Sequence, residues 1–255
     1  MAVSLRALAR RALGVQRTPT YYLPWLTLNG LECALILNNV EVRFKPGENQ
    51  GPYPATVVQL DADGGVVRTS QVSVTDTADA VELSMTPTLR GYGFVTVSTE
   101  HLHSDLYVTV ADGESYTATH GRAEFVETYP LRVRLLLGAL GALLAPLRRT
   151  IPAFVRDQYA YAGPDGRSHL LLLNLSNVTN RIRVVAHRDG ARGTTRLVAV
   201  PPLGARLLDV GTLAPAASGL TPLALRLEGN AWFNLYLVGA GPRDLAGPLS
   251  LMHVK

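Results

Sequence analysis

Strand-like runs in the first half of this chain recur in its second half, about 125 to 136 positions later. Ala34–Leu37 followed by Asn38 is answered by Leu170–Leu173 followed by Asn174. Val57–Gly64 (VVQLDADG) is answered by Arg183–Gly190 (RVVAHRDG). Thr69–Val74 matches Thr194–Val200, and Ala80–Met85 matches Ala205–Val210. Asp105–Thr109 (DLYVT) matches Asn234–Val238 (NLYLV). Self-similarity at a near-constant offset means one folding unit used twice. The earliest pair has the widest offset because the first copy carries a longer, Pro- and Gly-rich loop at 44–54.

Each copy reads as β. Cys33–Leu37 (CALIL) is a continuous apolar run that suits a strand inside a sandwich. Ala55–Leu60 and Val66–Val74 flank Asp61-Ala62-Asp63-Gly64-Gly65, where Asp-Gly between two β runs signals a hairpin. Gly93–Ser98, Leu106–Val110, Ser115–Thr119 and Ala123–Glu127 add short strands, and Tyr21–Trp25 reads as an extended aromatic entry. Sixteen prolines and 23 glycines supply the turns that so many short strands need. This pattern resembles an immunoglobulin-like β-sandwich. The likeness is to the general architecture, since the Cys–Trp–Cys core signature is absent. It implies a mainly all-β chain of two tandem sandwiches from an internal duplication, spanning 19–130 and 151–255.

Between the copies lies Leu131–Arg149 (LRVRLLLGALGALLAPLRR). Leu135–Leu147 holds no charge, and Leu and Ala favour helix. Gly138 and Gly141 weaken the helix, and Pro146 kinks or ends it. Thirteen uncharged residues reach about 20 Å, against the roughly 30 Å of a hydrocarbon core. A membrane span is therefore not expected. The stretch, 131–150, reads as a connecting helix, either buried between the domains, lying in a membrane interface or docking a partner. Arg132, Arg134, Arg148 and Arg149 flank the apolar run, as headgroup-binding cations would.

The net charge of +4 is unevenly placed. Residues 1–20 carry four Arg and no acid, and residues 131–150 repeat that count. Residues 21–130 carry five basic and fourteen acidic residues, whereas 151–255 carry eleven basic and six acidic. The basic residues of the second copy are scattered along strands, with no basic run interleaved with aromatics. Nucleic acid is therefore not an expected partner. Ser4–Leu13 reads as a short amphipathic helix within a basic arm at 1–18, with Arg6, Arg10 and Arg17 crowding one side. It lacks the apolar core of a secretory signal, so the expected location is cytoplasmic or peripheral to the cytoplasmic membrane face.

Polar chemistry concentrates at His101, His103 and Asp105, with His120 downstream. On a strand the period of two puts the first three on one face, a set able to bind zinc or a similar metal. The His-x-His start resembles cupins, but Leu106 and Tyr107 stand where a following Glu is expected, and the second copy has no His there. A solvated edge is the competing reading. Asp61-Ala62-Asp63-Gly64 resembles the start of a calcium loop but lacks its distal Glu. Asn174 and Asn177 head glycosylation triplets, but Asn174 follows a buried run as Asn38 does, and a structural amide capping a strand end is the preferred reading of both. Trp25, Trp232, Phe233, Tyr236, Tyr159 and Tyr161 are candidates for a sugar platform or for core. Cys33, the single cysteine, excludes an internal disulfide.

Three functions follow as expectations. The first is a non-enzymatic structural or interaction module with no cofactor, touching a protein or an anionic membrane surface. Its contacts would be Arg6, Arg10, Arg11, Leu136, Leu140, Arg148 and Arg149. The second is a metal-binding module or metal-dependent enzyme at the His cluster. The third is a glycan-binding accessory module. Oligomeric state is not legible.

Overall fold

The computed structural model describes residues 10–37, 52–74, 81–84, 91–99, 106–114, 116–163, 167–188, 191–213, 219–240 and 250–253. The first half contains β1 (Gln16–Leu26), β2 (Glu32–Leu37), β3 (Tyr53–Asp61), β4 (Val66–Val74), β5 (Val81–Ser84), β6 (Tyr92–Ser98), β7 (Leu106–Ala111), β8 (Tyr116–His120) and β9 (Arg122–Thr128). Helix α1 (Leu131–Leu144) follows. The second half contains β10 (Phe154–Ala162), β11 (Arg167–Asn174), β12 (Asn180–Arg188), β13 (Ala191–Val200), β14 (Ala205–Asp209), β15 (Thr221–Gly229), β16 (Phe233–Ala240) and β17 (Ser250–His253). The chain is mainly all-β and sandwich-like, as its sequence pattern implied.

All the strand pairs among these elements are antiparallel. One sheet of the first half runs β4-β3-β6-β1-β9 and the other β5-β2-β7-β8. In the second half the orders are β13-β12-β15-β10 and β14-β11-β16-β17. Among the described residues these two are paired strand to strand only at the β10–β11 turn, through Ala162 and Arg167. The second half thus repeats the strand order of the first, strand for strand, with β9 as an addition. Each of the five matched sequence pairs falls on equivalent strands, from β2 with β11 to β7 with β16.

β1 changes partner along its length. Gln16–Tyr22 pair with β9, and Tyr21–Leu26 pair with β6. Pro19 and Pro24 fall in the singly paired stretches, where a missing N–H breaks no second ladder. Strand character starts at Gln16, inside the span assigned to the basic arm. Of that arm, the described part before β1 is a helical turn at residues 10–13, and Gly14 ends it at φ +69°.

The two halves do not have separate cores. In β11, Leu170 and Leu172 pack into a second-half core with Val184, Leu225 and Leu235. Leu171 and Leu173, on the other face, join the core of the first half with Tyr22, Trp25 and Phe94. Strand side chains alternate between faces, so four consecutive leucines require burial on both sides. Tyr236 of β16 meets Tyr22 of β1 edge-on, with ring centres 6.3 Å apart. The Asn234 amide donates to the Tyr22 hydroxyl. Beside them, the Leu251 N–H of β17 donates to Thr117 Oγ1 of β8 at 3.2 Å.

The β3–β4 turn completes this junction. Its Ala62 carbonyl accepts from the Ala205 N–H at 2.9 Å and from Arg206 Nη1 at 2.8 Å. Arg206 also pairs with Asp63 at 2.8 Å. Gly64 has φ +85°, and a Cβ there would overlap the Pro202 carbonyl oxygen. The turn that resembles a calcium loop is therefore spent on docking the halves. Asp61 Oδ1 accepts from the N–H groups of Asp63 and Gly65.

Charges scattered along the second-half strands pair across and along the strands. Arg183 bonds Glu228 opposite it at 2.8 Å, and Arg226 reaches Glu228 at 3.2 Å and Asp157 at 3.6 Å. Such pairs stabilise one face of a sheet modestly.

Candidate interaction surface

Helix α1 begins directly after Pro130, whose carbonyl accepts from Val133 and Arg134. It ends where Ala145–Leu147 tighten into a 3-10 turn containing Pro146, closed by Arg148 in the left-handed region. Pro146 thus ends the α-helix, as its ring and missing N–H dictate. Only Val133 is buried among the helix residues. With Leu137 it sits over a small core of Tyr129, Val178, Ala231 and Val15.

The opposite face is bare. Leu131, Leu135 and Leu143 are 67 %, 65 % and 70 % exposed, and Leu147 beyond the helix is 64 % exposed. Leu136 is also exposed, and Leu140 lies at the margin. At 100° per residue, Leu131, Leu135, Leu136, Ala139 and Leu143 fall within one side of the helix. Arg132 lies on that side, with Arg148 and Arg149 at its far end, all three exposed. Beyond Arg132 and Arg134 in its first turn, the helix is apolar all round yet packed on one face only. That combination is rare for a chain that meets only water.

Two glycines have separate roles in this helix. Gly141 faces inward, and a Cβ there would overlap the guanidinium of Arg181 from β12. Gly138 faces open space.

Arg10 anchors the arm beside α1. Its Nε pairs with Glu127 of β9 at 2.8 Å, and Glu127 is fully buried. Arg17 lies 3.7 Å from the same oxygen and stacks over Phe125 at 3.8 Å. The Arg10 guanidinium also lies 5.4 Å from the Phe154 ring centre and 6.0 Å from that of Trp232. The Tyr129 hydroxyl donates to Glu127 Oε2 at 2.8 Å. Burial, and then the Glu127 charge, push the Tyr129 hydroxyl well above the ordinary tyrosine range. A cavity of about 300 Å³ opens here, lined by Arg10, Leu13, Val15, Val133, Leu137 and Phe154. The end of the arm and α1 thus line one cavity, so these two acid-free segments are neighbours.

The expected contacts divide accordingly. Arg10 is turned inward onto Glu127, whereas Arg11, Leu136, Arg148 and Arg149 are exposed. Arg6 lies outside the described residues. So do His101, His103 and Asp105. His120 is exposed on β8, opposite Tyr107. Among the described residues no group of three metal-ligating side chains converges.

The aromatic candidates do not form one platform. Trp25, Phe233 and Tyr236 are core, and Trp232 lies half-buried beneath Arg156 and Arg10. Tyr159 and Tyr161 are exposed on β10. Cys33 is a buried free thiol whose desolvation pushes it up to about 12. The Asn174 amide is fully buried and donates to the carbonyls of Val178 and Pro201. Asn177 bonds both the N–H and the carbonyl of Tyr129.

Sequence reasoning missed Glu127 and Arg181. Glu127 is one of fourteen acids in its half, and nothing in its neighbours marks it as buried. Arg181 had one signal, a helix glycine at 141 with no turn to explain it. No protein-family profile matches this chain, and no curated protein matches it.

Proposed function

We propose that this protein is a non-enzymatic binding module that lies on an anionic membrane surface through α1. The carrying observation is the exposed leucine face of α1, with arginines at both of its ends. A helix of this kind lies in the plane of the bilayer interface, its leucines among the upper acyl carbons and its cations at the headgroups. The acid-free arm beside it extends the basic surface. Among the described residues no helix is long and apolar enough to cross a membrane, which fits a helix lying flat. The two sandwiches, fused through β11 and β16, supply a rigid body that holds the helix outward.

Flotation of the full chain with phosphatidylcholine vesicles containing phosphatidylserine tests this reading. The wild type should float with anionic vesicles and release as salt rises. Leu131→Ser/Leu135→Ser/Leu143→Ser should lose binding by about 100-fold, since each leucine transferred contributes roughly 1 kcal/mol or more. The fold should be unaffected, because these side chains touch little. A wild type that stays unbound, or a triple variant that floats equally well, refutes the proposal. A concentration-dependent dimer that the triple variant abolishes would instead assign the face to a second copy.

A further inference from the structure

On its other flank, α1 and the loop entering β12 enclose a second cavity of about 240 Å³. Its walls include Arg134 and Arg181, the hydroxyl-bearing Thr179, Gly138, and the exposed leucines Leu131 and Leu135. Among the described residues no acidic one lines it. Among the described residues neither Arg134 nor Arg181 has an ion-pair partner. That is unlike Arg10, Arg17, Arg183, Arg206 and Arg226, each of which pairs with an acid.

The Arg181 backbone is pinned at both polar groups. Its N–H donates to Asn230 Oδ1 at 2.5 Å, and its carbonyl accepts from Thr150 Oγ1 at 2.7 Å. Its side chain is half-buried and reaches the helix backbone over Gly141, the space there being left by the missing Cβ. Gly138 leaves the cavity open in the same way. The Arg181 backbone is thus fixed beside the cavity, with its guanidinium lying against the helix at Gly141. Arg134 stands opposite on the first turn of the helix, which carries no acid.

We infer that this cavity is a headgroup site for a phosphate monoester lipid. Two guanidiniums offer paired N–H donors matched to a doubly charged phosphate, and a hydroxyl adds a third donor group. Leu131 and Leu135 line both the cavity and the bare face. A phosphate seated there leaves its acyl chains against the leucines. The inference rests on the membrane reading above and deepens it from a charge attraction to recognition of one headgroup class.

The test compares phosphatidylcholine vesicles carrying phosphatidic acid with vesicles carrying phosphatidylserine at matched surface charge. The full-length wild type should prefer phosphatidic acid by about fivefold or more. Arg134→Ala/Arg181→Ala should erase that preference. Arg148→Ala/Arg149→Ala removes equal charge outside the cavity. It should weaken binding to both vesicles and keep the preference. Gly138→Glu, which projects a carboxylate into open space at the cavity wall and favours helix, should also erase it, while Gly138→Ala should not. This variant keeps the test decisive if Arg181→Ala perturbs the fold. Equal binding to both vesicles, with both double variants weakened alike, overturns the headgroup site but leaves the leucine face standing. A wild type that floats with neither vesicle overturns both. Inorganic phosphate that raises the unfolding temperature of wild type but not of Arg134→Ala/Arg181→Ala, with no vesicle preference, assigns the cavity to a free anion and overturns the lipid.

Discussion

Glu127 shows what one residue contributes here. It is fully buried, and it gathers Arg10, Arg17 and the Tyr129 hydroxyl around one carboxylate. Its N–H donates to the Leu175 carbonyl, and its own carbonyl accepts from Asn177, so its backbone also ties β9 to the second half. Removing one member of a fully buried ion pair costs about 3–5 kcal/mol. Arg10 is partly exposed, so Glu127→Ala should destabilise the protein by about 2–3 kcal/mol in urea unfolding. Glu127→Gln should cost less, because its amide oxygen still accepts from Tyr129. Gln in place of Glu127 also removes the charge that pushes the tyrosine up, so the Tyr129 titration read by ultraviolet absorbance should move downward. An unchanged titration would show that burial alone holds it.

At the level of the element, α1 is a helix with two glycines of opposite meaning. Gly138→Ala adds a methyl into open space and should stabilise by about 1 kcal/mol through helix propensity. Gly141→Ala must first displace the Arg181 guanidinium, so it should stabilise less than Gly138→Ala. Thermal unfolding of the two single variants checks the contrast. Equal stabilisation by both would mean that Arg181 does not lie against the helix. The predicted span of the helix agrees closely with α1 and its 3-10 turn, because Pro146 is a local constraint. Which of its faces would be covered was not legible. Leucine occurs on both, and only the position of β9 and the β11–β12 loop decides which leucines are reached.

At the scale of the whole molecule, the second half repeats the strand order of the first and shares a core with it. Leu171, Leu173, Tyr236 and Val238 belong to second-half strands yet complete the first-half core. Heating the full chain should therefore give one transition, with calorimetric and van't Hoff enthalpies equal. The isolated segments 19–130 and 151–255 should each lose most of that stability, because each exposes one side of the shared core to water. Two separated transitions in the full chain would contradict the shared core.

The β class, the Asp61–Gly65 hairpin and the end of the helix at Pro146 were legible in the sequence. Each depends on local periodicity or on the backbone chemistry of Gly and Pro. β10, β15 and β17 were not read as strands, and β1 only in part. In β10 the alternation is broken by half-buried polar residues such as Arg156 and Gln158. The four leucines of β11 fitted any buried strand, and only tertiary structure assigned two to each sandwich. The same holds for the helix. Its composition determined that it forms and that it is too short to span a bilayer. The fold left one apolar face uncovered, because Val133 and Leu137 already fill the small core beneath it.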